Sequence, residues 1–512
     1  MGDFSDRQRA AGLWPAALSF LLLLFPGATH LTAQLRLSNL AEVQSGRLPG
    51  DEAGNQRSLY QQLNLAYGAR GFELSLRGET FGSSESGRNF GELVQRSLRY
   101  QRGRLEAGAG QFHAILGEGL LLHAFELPGV LTEDRGWRRR YQLTRDLDGV
   151  FLRYQHPRAS LLLLRGAPLN SALPPDLEGR RGDPLGAASL VWRPLSQVEA
   201  GVALLDLGTQ QGAGTHVRLR PGPVLGPGSA LELYGEYAQR DARPGRWLSL
   251  DRDLGRGLYL SSSLAAGPWG FSLEYKNYRD FLIADINNPP PLIREHETYL
   301  LNRLTHVLLP DDEPGLQVEA SYSFAGDASL LLNHTLATRT LEPGSADDEH
   351  LRSYFVQFDT PLGANLHTQA TADLSRSTIL QNERRLTLGT RWEWQPAATR
   401  TLSADLQFQD VKRRFGELAL PFENLYLGLG CSGGSWSAGM VLQRATDVLE
   451  TGASPAGASY WTGISAGWQM AEAHRLDLFA GQRRAGLACT GGTCYEVLGF
   501  EGVELRLVNQ LF

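Results

Sequence analysis

The sequence predicts an all-β fold: a single large closed antiparallel transmembrane β-barrel of about 24 strands, 22–26 at the outside, with short periplasmic turns and longer outer loops. Three observations predict it. Segments that alternate apolar and polar residues recur along the chain, short turns alternate with long polar loops, and the N-terminus carries an export signal.

The signal comes first in the chain. Arg7 and Arg9 precede an apolar run from Leu13 to Phe25, Pro26-Gly27 breaks it, and small residues lead to Ala33. This pattern reads as a secretory signal peptide over residues 1–33, cleaved after Ala33. A single anchor helix fits less well, because the apolar run is short for a bilayer. The mature barrel then occupies 34–512. No later apolar run reaches about 18 residues, so membrane residence has to come from strands.

Alternation defines those strands. In "TLSADLQFQDV", residues 401–411, Leu402, Ala404, Leu406 and Phe408 oppose Ser403, Asp405, Gln407 and Gln409. Successive side chains of a strand point to opposite faces, so the segment has one apolar and one wet face. Phe271, Leu273 and Tyr275 oppose Ser272, Glu274 and Lys276 in the same way, and Leu316, Val318 and Ala320 oppose Gln317 and Glu319. Repeating the reading gives strands near 34–44, 58–69, 71–81, 90–102, 104–112, 147–155, 158–166, 187–193, 196–206, 213–221, 228–240, 256–266 and 268–278. The second half adds 316–325, 327–339, 350–360, 364–376, 384–394, 400–412, 422–431, 434–445, 458–468, 473–484 and 502–512. An even number returns both ends to one side, as bacterial single-chain barrels require. For that reason the tempting segment "ETYLLNRLTHVLL" from Glu297, counted alone, does not fit the barrel and reads as part of a large outer loop or as one of an additional pair of strands.

Closure follows from the bilayer. An unpaired backbone group in hydrocarbon costs several kcal/mol, so a spanning sheet has no edges. The alternative, a secreted multi-sandwich or solenoid, has no reason to sort short and long connections onto opposite rims. The formal charge of −6 gives no reason to expect nucleic acid.

The chain ends "GVELRLVNQLF". A terminal Phe closing an alternating strand resembles the last strand of outer-membrane proteins and implies the barrel-assembly machinery as a partner during biogenesis. Here Phe512 stands on the face opposite Val503, Leu505, Leu507 and Leu511. The preceding "GQRRAGLACTGGTCYEVLGFEGVEL" resembles the C-terminal signature of an uncharacterised family of predicted outer-membrane barrels, G-x-R-R followed by C-x-G-G-x-C. "GQFHAILGEGLLLHAFE" and "RDLDGVFLRY" resemble that family's segments as well. The resemblance implies the fold and names no substrate. Cys489 and Cys494 flank Thr-Gly-Gly-Thr, and in an exported chain such a pair reads first as a disulfide. A metal would need two more ligands, so no metal site is expected. Cys431 is left over as a free thiol in a short periplasmic turn.

Function rests on the loops and the wet face. The loop 113–146 carries Glu133, Asp134, Arg135, Arg138, Arg139, Arg140 and Arg145. Folded into the bore, these side chains would form a charged constriction. Left outside, the arginines would meet lipopolysaccharide phosphates. Glu319, His367, Gln369, Asp373, Arg391, Asp405 and Gln407 fall on the wet face and are expected to line the lumen. The loop 279–315, with "NNPPPLIREHETY", reads as a lid, a ligand surface or an ordinary Pro-rich outer loop. No G-x-S-x-G, H-E-x-x-H or Gly-Lys-Ser/Thr phosphate loop occurs, so no catalytic residue and no cofactor is expected. An energised receptor would carry a plug domain before its first strand, whereas here alternation starts at Leu35.

The expected function is therefore a porin-like channel or passive transporter for small hydrophilic solutes, surrounded by outer-membrane lipid and lipopolysaccharide. The alternative is a plugged or partner-filled barrel, with a lumen-filling or periplasmic protein partner, serving secretion, assembly or surface adhesion.

Overall fold

The computed structural model describes residues 34–510 apart from 48–54, 85–88, 134–139, 171–175, 242–254, 284–285, 292–295, 304–311, 341–347, 379–380, 452–457 and 491–492. The proposed signal peptide and Phe512 lie outside the described residues.

The architecture is a closed antiparallel barrel of 24 strands. Strands β1–β5 are Gln34–Arg47, Gln56–Ala69, Phe72–Ser83, Phe90–Arg102 and Leu105–Phe112. Strands β6–β9 are Leu147–His156, Ala159–Pro168, Leu185–Leu195 and Val198–Asp206. Strands β10–β13 are Gln211–Leu219, Ala230–Asp241, Gly255–Ala266 and Trp269–Arg279. Strands β14–β19 are Glu313–Ser323, Ser329–Thr340, Asp348–Pro361, Leu366–Ser377, Asn382–Ala397 and Arg400–Phe415. Strands β20–β24 are Phe422–Gly433, Trp436–Ala445, Ser459–Ala471, His474–Arg483 and Phe500–Gln510. Each pairs with the next, and β24 returns to β1 in a register running from Ser38 opposite Gln510 to Arg47 opposite Glu501. Every strand expected from alternation is present, and the segment that parity spoke against as a single added strand holds a short helix, α1, Tyr299–Arg303.

The two faces separate as the alternation requires. Val202, Leu204, Phe271, Leu273, Leu402 and Leu406 are exposed on the outer wall. Their neighbours in sequence, such as Ala203 and Gln407, are buried on the inside. The outer wall also carries a girdle. Phe72, Tyr154, Trp192, Trp269, Phe358, Trp394, Trp436 and Trp468 are all exposed, and each stands within a few residues of a short turn. Amphipathic rings at one rim mark the level where hydrocarbon gives way to headgroups.

Loop sorting holds for most connections, although the 207–210 and 378–381 connections on the loop rim are as short as the turns. The 220–229 connection between β10 and β11 is long although it lies on the short-turn rim. Cys431 corrects an expectation: it sits within β20, paired opposite Leu402 and Ala438, and not in the turn. The ladder continues through Gly433 before the chain reverses.

Candidate functional site: the loops inside the bore

The described parts of three outer-rim loops, 113–146, 280–312 and 484–499, lie against the inner wall and against one another. The first begins "HAILGEGLLLHA". Gly117 and Gly119 have φ of +59° and +96°, which lets the chain reverse tightly so that Leu116 and Leu120–Leu122 re-enter the barrel. All four leucines are buried against inward side chains of β5–β13, among them Phe112, Phe151, Leu164, Leu205, Tyr234 and Tyr278. Glycine in β10 makes the close approach possible. A Cβ at Gly212 would stand 2.8 Å from a Leu121 methyl, and one at Gly214 would stand 3.1 Å away.

Polar contacts fix the tip of this turn. The Glu236 carboxylate, inward on β11, accepts from the Glu118 backbone N–H at 2.6 Å and from the Tyr234 hydroxyl at 2.6 Å. Glu118 in turn pairs with Arg218 at 2.5 Å. The loop after β13 packs on the same segment. Asn287 donates to the carbonyls of Leu120 at 3.0 Å and Phe281 at 2.8 Å, and accepts from Ile283 N–H at 3.0 Å. Phe281, Ile283 and Ile286 join the leucine cluster. The result is an apolar core inside the barrel.

The rest of loop 113–146 is anchored differently. Phe125–Glu133 and Arg140–Arg145 form a hairpin against β1, β3 and β24. Glu126 pairs with Arg77 at 2.7 Å, and Gln142 N–H donates to Glu79 at 3.2 Å. Arg140 pairs with Glu42 of β1 and approaches Glu504 of β24 at 3.9 Å and Glu133 at 3.8 Å. Arg506 reaches Glu42 at 2.5 Å, while Gln44 and Arg483 reach Glu504 at 2.5 and 3.2 Å. The strands that close the barrel therefore meet at an alternating cluster of acids and bases, with Arg140 bracing both sides.

Helix α1 covers the inner face of β19 and β20. Leu300 N–H donates to Gln407 at 2.9 Å, and Gln409 donates to the Leu300 carbonyl at 3.2 Å. Arg303 donates to the carbonyls of Arg484 and Ala485, which ties α1 to the third loop. There Gly486–Thr490 pairs with Thr493–Val497, with Cys489 directly opposite Cys494 in the backbone register; their side chains lie outside the described residues.

The expected residues divide accordingly. Glu133, Arg140 and Arg145 belong to the inward hairpin, and Arg145 stands over the Phe125 ring. Asp134, Arg135, Arg138 and Arg139 lie outside the described residues. Glu319, His367, Gln369, Asp373, Arg391, Asp405 and Gln407 all occupy inward positions. Two of them do not meet open water. Asp373 is 1% exposed, held by Ser353 at 2.6 Å, Ser375 at 3.0 Å and Arg385 at 3.2 Å, and Gln407 is 2% exposed beneath α1. Glu319 instead helps to line an open cavity of about 570 Å³ at the turn-side mouth, together with Ser263, Ser272, Ser321, Arg220 and Glu232.

Sequence reasoning missed Glu42, Glu236 and Glu504 as partners of the loop. Nothing local distinguishes them from other wet-face acids. A signal for the apolar segment was present: "AILGEGLLLHA" is too rich in leucine for a loop in water.

No family model and no curated protein matches the chain. Solved Pseudomonas aeruginosa structures are similar over most of it. OpdQ is 10% identical, covering 68% of this chain and 95% of its own, with a TM-score of 0.43. OpdL is 13% identical, covering 74% and 99%, with a TM-score of 0.43. OccK2 (OpdF) is 13% identical, covering 74% and 97%, with a TM-score of 0.41.

Proposed function

We propose that the chain is a bacterial outer-membrane channel that passes small hydrophilic solutes through a bore narrowed by its own loops. The observation that carries the reading is the pair of inward loops, 113–146 and 280–312, docked inside a closed barrel whose outer wall is apolar. A wall of this kind suits hydrocarbon, and a closed ladder satisfies its backbone there. A bore formed by this many strands is wide and needs an internal element to become selective. The hairpin that carries Arg140 supplies fixed charge in the wall of the bore, and the turn-side mouth supplies a hydrated vestibule.

Export by the signal peptide at residues 1–33, folding by the barrel-assembly machinery and a Cys489–Cys494 disulfide complete the reading. Purified protein in a planar bilayer is expected to give small, discrete conductance steps. The burial of inward residues near the loop-side rim favours a second reading, a plugged barrel serving assembly or adhesion with a protein partner. Electrical silence together with a co-purifying subunit would select that reading and overturn the channel.

A further inference from the structure

The outer wall carries a feature that the channel reading does not use. On four adjacent strands, β16–β19, basic side chains stand in one row on the lipid-facing side, near the strand ends that lead to the loops. Arg352 lies directly opposite Arg376 across β16 and β17. Arg384 lies directly opposite Lys412 across β18 and β19. A register shift between Ser375 and Ser377 brings Arg376 against the bulge that contains Arg384. All four are exposed, on the face defined by Tyr354, Val356, Leu374 and Leu406.

Like charges directly opposite one another on neighbouring strands are destabilising, and cations on a lipid-facing wall are costly away from the headgroups. Internal neutralisation is incomplete. Arg384 pairs with Asp410, but Arg352, Arg376 and Lys412 have no acidic partner among the described residues. Adjacent strands are about 4.8 Å apart, so the row is about 15 Å wide. Directly below it, toward the turn side, Tyr354, Leu374, Leu388 and Leu406 form a continuous apolar surface. The patch offers anion contacts above and acyl-chain contacts below, in the leaflet on the loop side.

We infer that the outer wall of β16–β19 is a binding site for a phosphorylated glycolipid, the lipid A portion of lipopolysaccharide, with its phosphates between Arg352, Arg376 and Lys412 and its acyl chains on the apolar surface beneath. Arginine and lysine favour phosphate oxygens through charge-assisted hydrogen bonds, and an anion between opposed cations removes their repulsion. The inference requires only the membrane location in the reading above, not conduction.

The test uses the full barrel in detergent and native mass spectrometry with defined lipids. Bisphosphorylated lipid A is expected to remain bound, and to bind more tightly than the same glycolipid without phosphates. Replacing Arg352, Arg376 and Lys412 together by Gln is expected to weaken it by about a hundredfold, at roughly fivefold for each cation near an anionic lipid surface. Arg444→Gln, on the outer wall of β21, is the control and is expected to leave binding unchanged. Heat-modifiable gel migration checks that the triple variant is folded. Equal affinity for phosphatidylglycerol, or an unchanged affinity in the folded triple variant, would overturn the assignment. Because conductance is not read, loss of the channel reading would leave this result intact.

Discussion

Two sectors of the bore hold halves of one loop by opposite physics. Along β5–β13 the segment 113–124 is fixed by leucine against leucine and tyrosine, with Glu236 capping its tip. Along β24 and β1–β3 the hairpin Phe125–Arg145 is fixed by ion pairs and amide hydrogen bonds around Arg140. Apolar burial is non-directional and tolerates salt, whereas an ion pair stabilises only when both partners are present. The first sector therefore holds its segment without regard to charge, and the second places fixed charge in the wall of the bore.

The comparison is broken most easily in the apolar sector. Leu120→Ala with Leu121→Ala removes two buried side chains at about 2–5 kcal/mol each. Segment 113–124 is expected to undock, giving the largest rise in single-channel conductance with no change in reversal potential, since no charge is altered. An unchanged conductance would mean that the leucine core does not limit flow.

Arg140→Ala comes next. Breaking a buried pair costs about 3–5 kcal/mol because the partner charge stays behind. Glu42, Glu133 and Glu504 would then outweigh Arg483 and Arg506, and the reversal potential in a KCl gradient is expected to move toward cation selectivity. If Leu120→Ala with Leu121→Ala produced the same shift, the division into sectors would fail.

Glu236→Gln is milder. It weakens the hydrogen bonds from Glu118 N–H and the Tyr234 hydroxyl, worth about 1.5–3 kcal/mol when the acceptor is charged. The expected result is faster current noise at nearly normal mean conductance, measured in the same bilayers. Salt should have the smallest effect. Between about 0.1 M and 1 M the screening length falls from about 10 Å to 3 Å. The selectivity change in Arg140→Ala is expected to shrink over that range, while the conductance change in the leucine variant persists after correction for bulk conductivity.

The barrel was legible because its signal is periodic and repeated. Each strand carries its own two-residue alternation, and the parity of the count spoke against the segment around α1 as a single added strand without any knowledge of packing. The face of each lumen candidate, from Glu319 to Gln407, followed from the same period. What Asp373 and Gln407 touch did not follow. Asp373 is enclosed by neighbouring strands, and Gln407 is covered by a helix that begins more than a hundred positions earlier in the chain.

Local order along the chain thus determined which residues form strands, how many there are and which way each side chain faces, because these depend on a period of two and on the cost of unpaired backbone in hydrocarbon. Only the closed structure decided that Glu42, Arg140 and Glu504 meet, or that Leu121 rests on Gly212 and Gly214. Those contacts join distant segments through loop reversal and ring closure, and no local pattern records which strands a long loop will fall against.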